Sequence, residues 1–194
     1  MPIDLETVTE ARLVAEALAG SQQAFDQIVR RYQRPVISLL VRLTGDPALA
    51  EDLAQDTFVK AFRSLAAFDP TRRLSSWLFR IAHNTGIDAL RRGQPSASWS
   101  ASRTGPAGPA LDVAAAPSVD PVEREALRDA LQQALARLRP DQRTVVVLRY
   151  DEGLAFEEIG QVLGIPEATA RSHVHRARKE LARLLSAAGW DPAR

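Results

Sequence analysis

Apolar positions along this chain recur at steps of three and four, the period of an amphipathic helix, and no stretch alternates as a strand would. Thr144 to Leu148 is rich in β-branched residues, yet it lies inside a longer pattern of helical spacing. The spacing predicts a short helix near Val8 to Leu18, ended by Gly20. Ser21 can cap a second helix that turns Phe25, Ile28, Val29, Tyr32, Val36, Leu39, Leu40 and Leu43 inward, with Pro35 kinking or dividing it. Gly45 closes that helix, and Asp46-Pro47 is a cap and first-turn signal for a third, which carries Leu53, Thr57, Phe58, Ala61, Phe62 and Leu65 inward. Asp69-Pro70 breaks the chain, and Ser75 or Ser76 caps a fourth helix from Trp77 to about Arg92. A second helical group begins near Pro121, with Leu127, Leu131, Leu135 and Leu138 on one helix and Pro140-Asp141 opening the next.

The stretch from Leu154 to Arg183 reads as a helix-turn-helix. Phe156, Ile159, Val162 and Leu163 give its first helix one apolar face. Gly164 suits the left-handed residue that ends a helix, and Pro166 suits the first turn of the following one. So short a turn is the unit that sets a second helix into a DNA major groove. At 100° per residue, Ala170, Val174, Ala177, Leu181 and Leu184 fall within about 40° of one line and form the buried stripe. The rest of that helix is basic: from Arg171 to Arg183, five Arg or Lys stand against one Glu. A solvated face mixes signs, so the surplus favours a phosphate-bearing partner.

Composition changes this picture in three places. The 194 residues are 45% hydrophobic, enough for one ordinary domain or two small ones, and the net charge of +1 leaves local basic patches to decide any nucleic-acid contact. Cysteine is absent, which excludes disulfides and thiolate zinc sites and fits a reducing cytosol. From Gln94 to Pro121 the chain is Ala, Ser, Pro and Gly with few large apolar residues, a flexible linker by composition. The organisation expected is all-α: a helical module over 1–93, a linker over 94–121, a helix-turn-helix module over 122–188 and a tail over 189–194. No apolar run reaches the roughly 20 residues a bilayer span needs, and the N-terminus does not read as a signal peptide. No phosphate loop, serine nucleophile elbow or metal-ligand cluster appears, so no enzyme and no cofactor are expected. His173 and His175 point about 200° apart on a helix, which argues against a metal site.

Two groups of motifs stand out when taken in order. In the first module these are Ala50-Glu51-Asp52-Leu53-Ala54-Gln55-Asp56-Thr57-Phe58 and Trp77-Leu78-Phe79-Arg80-Ile81-Ala82-His83-Asn84. In the second they are Leu138 to Arg143, Leu148-Arg149-Tyr150, Gly153-Leu154, Glu157-Glu158-Ile159 and Ala168 to Lys179. Together they resemble a bacterial RNA polymerase sigma factor of the extracytoplasmic-function type. The resemblance implies a transcription initiation factor that binds core RNA polymerase and directs it to promoters. It places polymerase docking on Asp52, Gln55, Asp56 and Val59. Recognition and melting of the single-stranded −10 element fall to Phe68, Ser75, Ser76, Trp77, Arg80, His83 and Asn84, with Asn84 as base reader and Trp77 divided between core and wedge. Recognition of the duplex −35 element falls to Thr169, Arg171, Ser172, His175, Arg176, Arg178 and Lys179.

The resemblance further implies a cytoplasmic protein without membrane insertion, a linker that threads the polymerase interior, and control by an anti-sigma factor clasping both modules. The competing reading is a helix-turn-helix regulator of the response-regulator type. It requires an α/β receiver with parallel apolar strands and clustered aspartates, and the first module shows neither.

Overall fold

A computed structural model describes residues 5–92 and 121–190, and every regular element among them is helical. Four helices form the first module: α1 (Leu5–Leu18), α2 (Gln22–Thr44), α3 (Pro47–Ser64) and α4 (Leu74–Arg92), with one 3-10 turn at Leu65–Ala67 after α3. Four form the second: α5 (Pro121–Arg137), α6 (Pro140–Tyr150), α7 (Phe156–Leu163) and α8 (Glu167–Ala187). The expected linker up to residue 120 lies outside the described residues, as does the tail from residue 191.

Local chemistry sets most helix ends. Ser21 Oγ accepts from the Ala24 amide at 3.3 Å, and Asp46 Oδ1 accepts from the Leu49 amide at 3.1 Å ahead of Pro47. Gly45 adopts φ 73°, which lets its N–H reach the Val41 carbonyl at 2.7 Å. Three sequence expectations are corrected. Pro35 does not divide α2, which runs unbroken through it. The missing hydrogen bond is outweighed because Val36, Leu39 and Leu40, just beyond the proline, are all fully buried in the module core. Neither Ser75 nor Ser76 caps α4, which starts at Leu74 and takes both serines into its first turn. Phe62 does not turn inward: it is 59% exposed, with an edge contact to Phe25 at a ring-centroid distance of 5.0 Å.

In the first module α2 packs on α3 and α4, and α3 on α4, around Ile28, Leu39, Leu40, Leu78 and Phe79. In the second, α6 and α7 pack on α8 around Val145, Leu148, Ile159 and Ala170. The two cores also meet. Helix α4 lies against α7, and α2 against α6, so the modules are docked on one another.

Candidate nucleic-acid interface

The turn between α7 and α8 is tight for a stated reason. The Gly160 carbonyl accepts from both the Gly164 and the Ile165 amides, and Gly164 takes φ 68°. A Cβ on Gly160 would lie 2.6 Å from the Ile165 carbonyl oxygen, so only glycine permits this approach. Beyond the turn, α8 buries Ala170, Val174, Ala177, Leu181 and Leu184, the stripe expected from the sequence. Arg171, Ser172, His175, Arg176, Arg178 and Lys179 are exposed, and Thr169 is half-buried near the helix start. Arg171, Ser172, His175 and Arg176 line one open groove. Within it Arg171 Nη2 donates to Glu167 Oε1 at 2.7 Å, and Arg176 Nε to the Ser172 carbonyl at 3.3 Å. A helix that offers guanidinium, hydroxyl and imidazole groups along one open side can meet both phosphates and base edges.

The structure splits the second predicted cluster. Arg80 and Asn84 are exposed one turn apart on α4, and Trp77 is half-buried on the turn before them. The Trp77 ring leans on Phe68, centroids 5.3 Å apart, and keeps part of its surface exposed. Phe68, Ser75, Ser76 and His83 are buried. The Ser75 and Ser76 hydroxyls have no hydrogen-bond partner among the described residues. His83 turns away from Asn84 into the module contact, where its Nδ1 lies 3.3 Å from Thr144 Oγ1. Burial lowers the pKa of this imidazole, with Asp141 opposing more weakly.

On α3, Asp52, Gln55, Asp56 and Val59 are all exposed, and Val59 keeps 48% of its surface. They form an acidic ridge with an apolar tip, set off by the buried Leu53, Thr57 and Phe58 behind it.

Sequence reasoning missed the groups that join the modules. Arg143 on α6 is buried, and its guanidinium donates to five carbonyls. Three belong to its own module: Leu135 at 2.9 Å, Ala136 at 2.7 Å and Leu138 at 3.2 Å. Two belong to the end of α2, Arg42 at 2.7 Å and Leu43 at 3.1 Å. A cation on carbonyls left open at helix C-termini is favourably placed. Beside it Arg42 Nε meets Asp151 Oδ2 at 3.0 Å, and Arg73 Nη1 meets Glu158 Oε1 at 3.3 Å. Burial raises the pKa of Asp151 despite Arg42, and burial followed by the Asp151 charge pushes Glu152 up to about 6. The available signals were its place in the Leu138 to Arg143 motif and its position just ahead of the apolar run Val145 to Leu148.

Among the described residues no group of three or more His, Asp or Glu could hold a metal ion, and no helix is long and apolar enough to cross a membrane.

Comparison with known proteins agrees with this layout. Residues 28–95 match the family model for Sigma-70 region 2, and residues 128–181 match that for Sigma-70, region 4. The chain is 35% identical over 176 residues to the ECF RNA polymerase sigma factor SigW of Bacillus subtilis, covering 89% of this chain and 94% of SigW. It is 42% identical over 175 residues to the RNA polymerase sigma factor CarQ of Myxococcus xanthus, covering 90% and 97% respectively. The solved structure of the sigma factor RpoE from Bartonella quintana, in complex with the anti-sigma factor NepR, is similar at a TM-score of 0.62 and 25% identity, covering 84% of this chain and 96% of RpoE.

Proposed function

The chain belongs to the extracytoplasmic-function sigma factors of bacterial RNA polymerase, and we propose that it grips its promoters at two separate points through the residues that the two modules expose. The observation that carries this reading is the pair of open faces: the basic side of α8 and the Trp77, Arg80 and Asn84 side of α4. A major-groove helix reads duplex, and an aromatic beside a cation and an amide suits an unstacked strand.

In this reading Arg171, Ser172, His175 and Arg176 meet the −35 bases, while Thr169, Arg178 and Lys179 hold phosphates. Trp77 offers a stacking face to the −10 strand with Phe68 as its support, Arg80 holds a phosphate and Asn84 pairs with a base. Ser75 and Ser76 shape the start of α4 from within. His83 joins the −10 contact only when α4 and α6 part, because Thr144 covers it. The ridge of Asp52, Gln55, Asp56 and Val59 docks on core polymerase. The first module then spans 1–93 and the second 122–188, joined by a linker over 94–121. The protein has no catalytic chemistry of its own and works in the cytoplasm, where polymerase is. By analogy with the RpoE–NepR complex, an anti-sigma factor holds it in reserve.

Run-off transcription tests the reading. Purified chain, core polymerase and a promoter library should yield transcripts that depend on the added chain. Arg171→Ala should then cost about 1–3 kcal/mol of −35 discrimination while polymerase binding is retained. Transcripts that appear equally without the chain would end the proposal.

A further inference from the structure

The Arg171 guanidinium sits at the end of a long chain on an open face, where a side chain is free to misplace its donors. Two contacts nevertheless fix it. Glu167, one turn earlier, takes one side of the guanidinium through Nη2 at 2.7 Å. The Phe156 ring lies beneath it, with Arg171 Cζ 4.9 Å from the ring centroid. Phe156 is itself held: Arg149 Cζ lies 4.7 Å from the same centroid, and Arg149 Nη1 donates to the Leu154 carbonyl at 2.8 Å. A line of contacts therefore runs from α6 through the first residue of α7 to the start of α8.

We infer that Glu167 and Phe156 are positioning residues that orient the Arg171 guanidinium for one base pair, so that discrimination at that pair depends on them although neither reads a base. The inference rests on the proposed contact between Arg171 and the −35 element. Guanine recognition needs two parallel N–H donors in the plane of the base pair. Nη2 is engaged by Glu167 on one side, which leaves donors on the remaining edges to face the groove. A ring against the guanidinium and a carboxylate on one of its nitrogens together limit where that fork can lie. Glu167 also sits in the first turn of α8, where a negative charge is favoured. Exposed pairs of this kind contribute little to stability. Their effect is expected in selectivity.

The test uses holoenzyme assembled from the full chain and core polymerase, with promoter DNA selected from a randomised library. Affinity ratios for matched against substituted −35 base pairs are measured pair by pair, for single variants and in the Arg171→Ala background. Arg171→Ala first identifies its base pair by loss of discrimination there. Phe156→Leu keeps an apolar side chain without the ring, Phe156→Tyr keeps the ring, and Glu167→Gln removes the charge from an exposed site. Phe156→Leu and Glu167→Gln should each reduce the ratio at the Arg171 pair by about 3–10-fold and leave the other pairs unchanged. Neither should add anything to Arg171→Ala, and Phe156→Tyr should stay within about twofold of wild type. Losses spread over all pairs, or persisting without Arg171, would make both residues merely structural and overturn the inference alone. So would unchanged ratios. An Arg171→Ala variant that discriminates normally at every pair would instead remove the base contact itself, and the inference with it.

Discussion

Arg143→Ala removes a buried side chain that bonds to carbonyls of both modules at once. Five donated hydrogen bonds disappear, three to the end of α5 and its following turn and two to the end of α2. A hydrogen bond from a charged donor contributes about 1.5–3 kcal/mol on its own, but the five share one guanidinium and do not add. Water entering the vacated space would re-satisfy part of the acceptors, and the desolvation that lowers the Arg143 pKa would be relieved. Leaving a buried acceptor unsatisfied costs about 1–3 kcal/mol, so with water recovering some of the five the net loss should be about 3–5 kcal/mol. Urea unfolding followed by helical circular dichroism measures the total. Amide exchange locates it: protection should fall at the end of α2, around Val41 to Gly45, as well as across α5 and α6. Arg143→Lys, which keeps the charge but not the fork, should fall between wild type and alanine. A loss below about 1 kcal/mol would refute the anchoring argument. Exchange that quickens in α5 and α6 while the end of α2 stays protected would refute its inter-module half.

Other outcomes follow from single features. Gly160→Ala gains up to about 1 kcal/mol of helix propensity but forces a Cβ against the Ile165 carbonyl, so a net loss of about 1–2 kcal/mol in urea unfolding is expected; a stabilised variant would contradict it. Glu152 binds its proton more tightly in the fold than in the unfolded chain, with a pKa of about 6 against an ordinary 4.5, so its contribution to stability declines as pH rises through that window. Glu152→Gln should flatten that decline in unfolding curves taken from pH 4.5 to 6.5. His83 acts in the opposite sense: its pKa is depressed below 6.5, so its contribution is complete above 6.5 and is lost as pH falls through its folded value. His83→Gln should remove that acid-side loss. Reversing Asp52 and Asp56 to Lys should weaken core polymerase binding about tenfold or more in an anisotropy titration while −35 duplex binding holds; unchanged polymerase affinity would clear the ridge of that role.

The parts of the fold that were legible in the sequence are those whose chemistry is local. Ser21, Gly45, Asp46-Pro47 and Gly164 each act on backbone groups within a few residues, and each stands where its residue type foretold. The buried stripe of α8 was legible for the same reason, since a helix face is a matter of counting. What failed depended on distant neighbours. Pro35 is tolerated because of what packs beyond it, and Phe62 is exposed because the core closes on Phe58 instead. His83 was grouped with Arg80 and Asn84, yet it is buried beside Thr144, 61 residues away, which no local pattern reveals. Arg143 stood in plain view among resembling residues, but carbonyls have no letter in a sequence, and its partners are carbonyls.

That last property has a consequence for how the docking of the two modules can drift over time. On the α2 side the acceptors are main-chain oxygens of Arg42 and Leu43, present whichever amino acids occupy those positions. The information for this contact is therefore held in one codon, on α6, while the opposite surface can change its side chains without erasing it. Most interfaces need two surfaces to change in step. Here one side is written in the shape of a helix end, and the contact lasts as long as α2 stops at Gly45 and position 143 remains arginine.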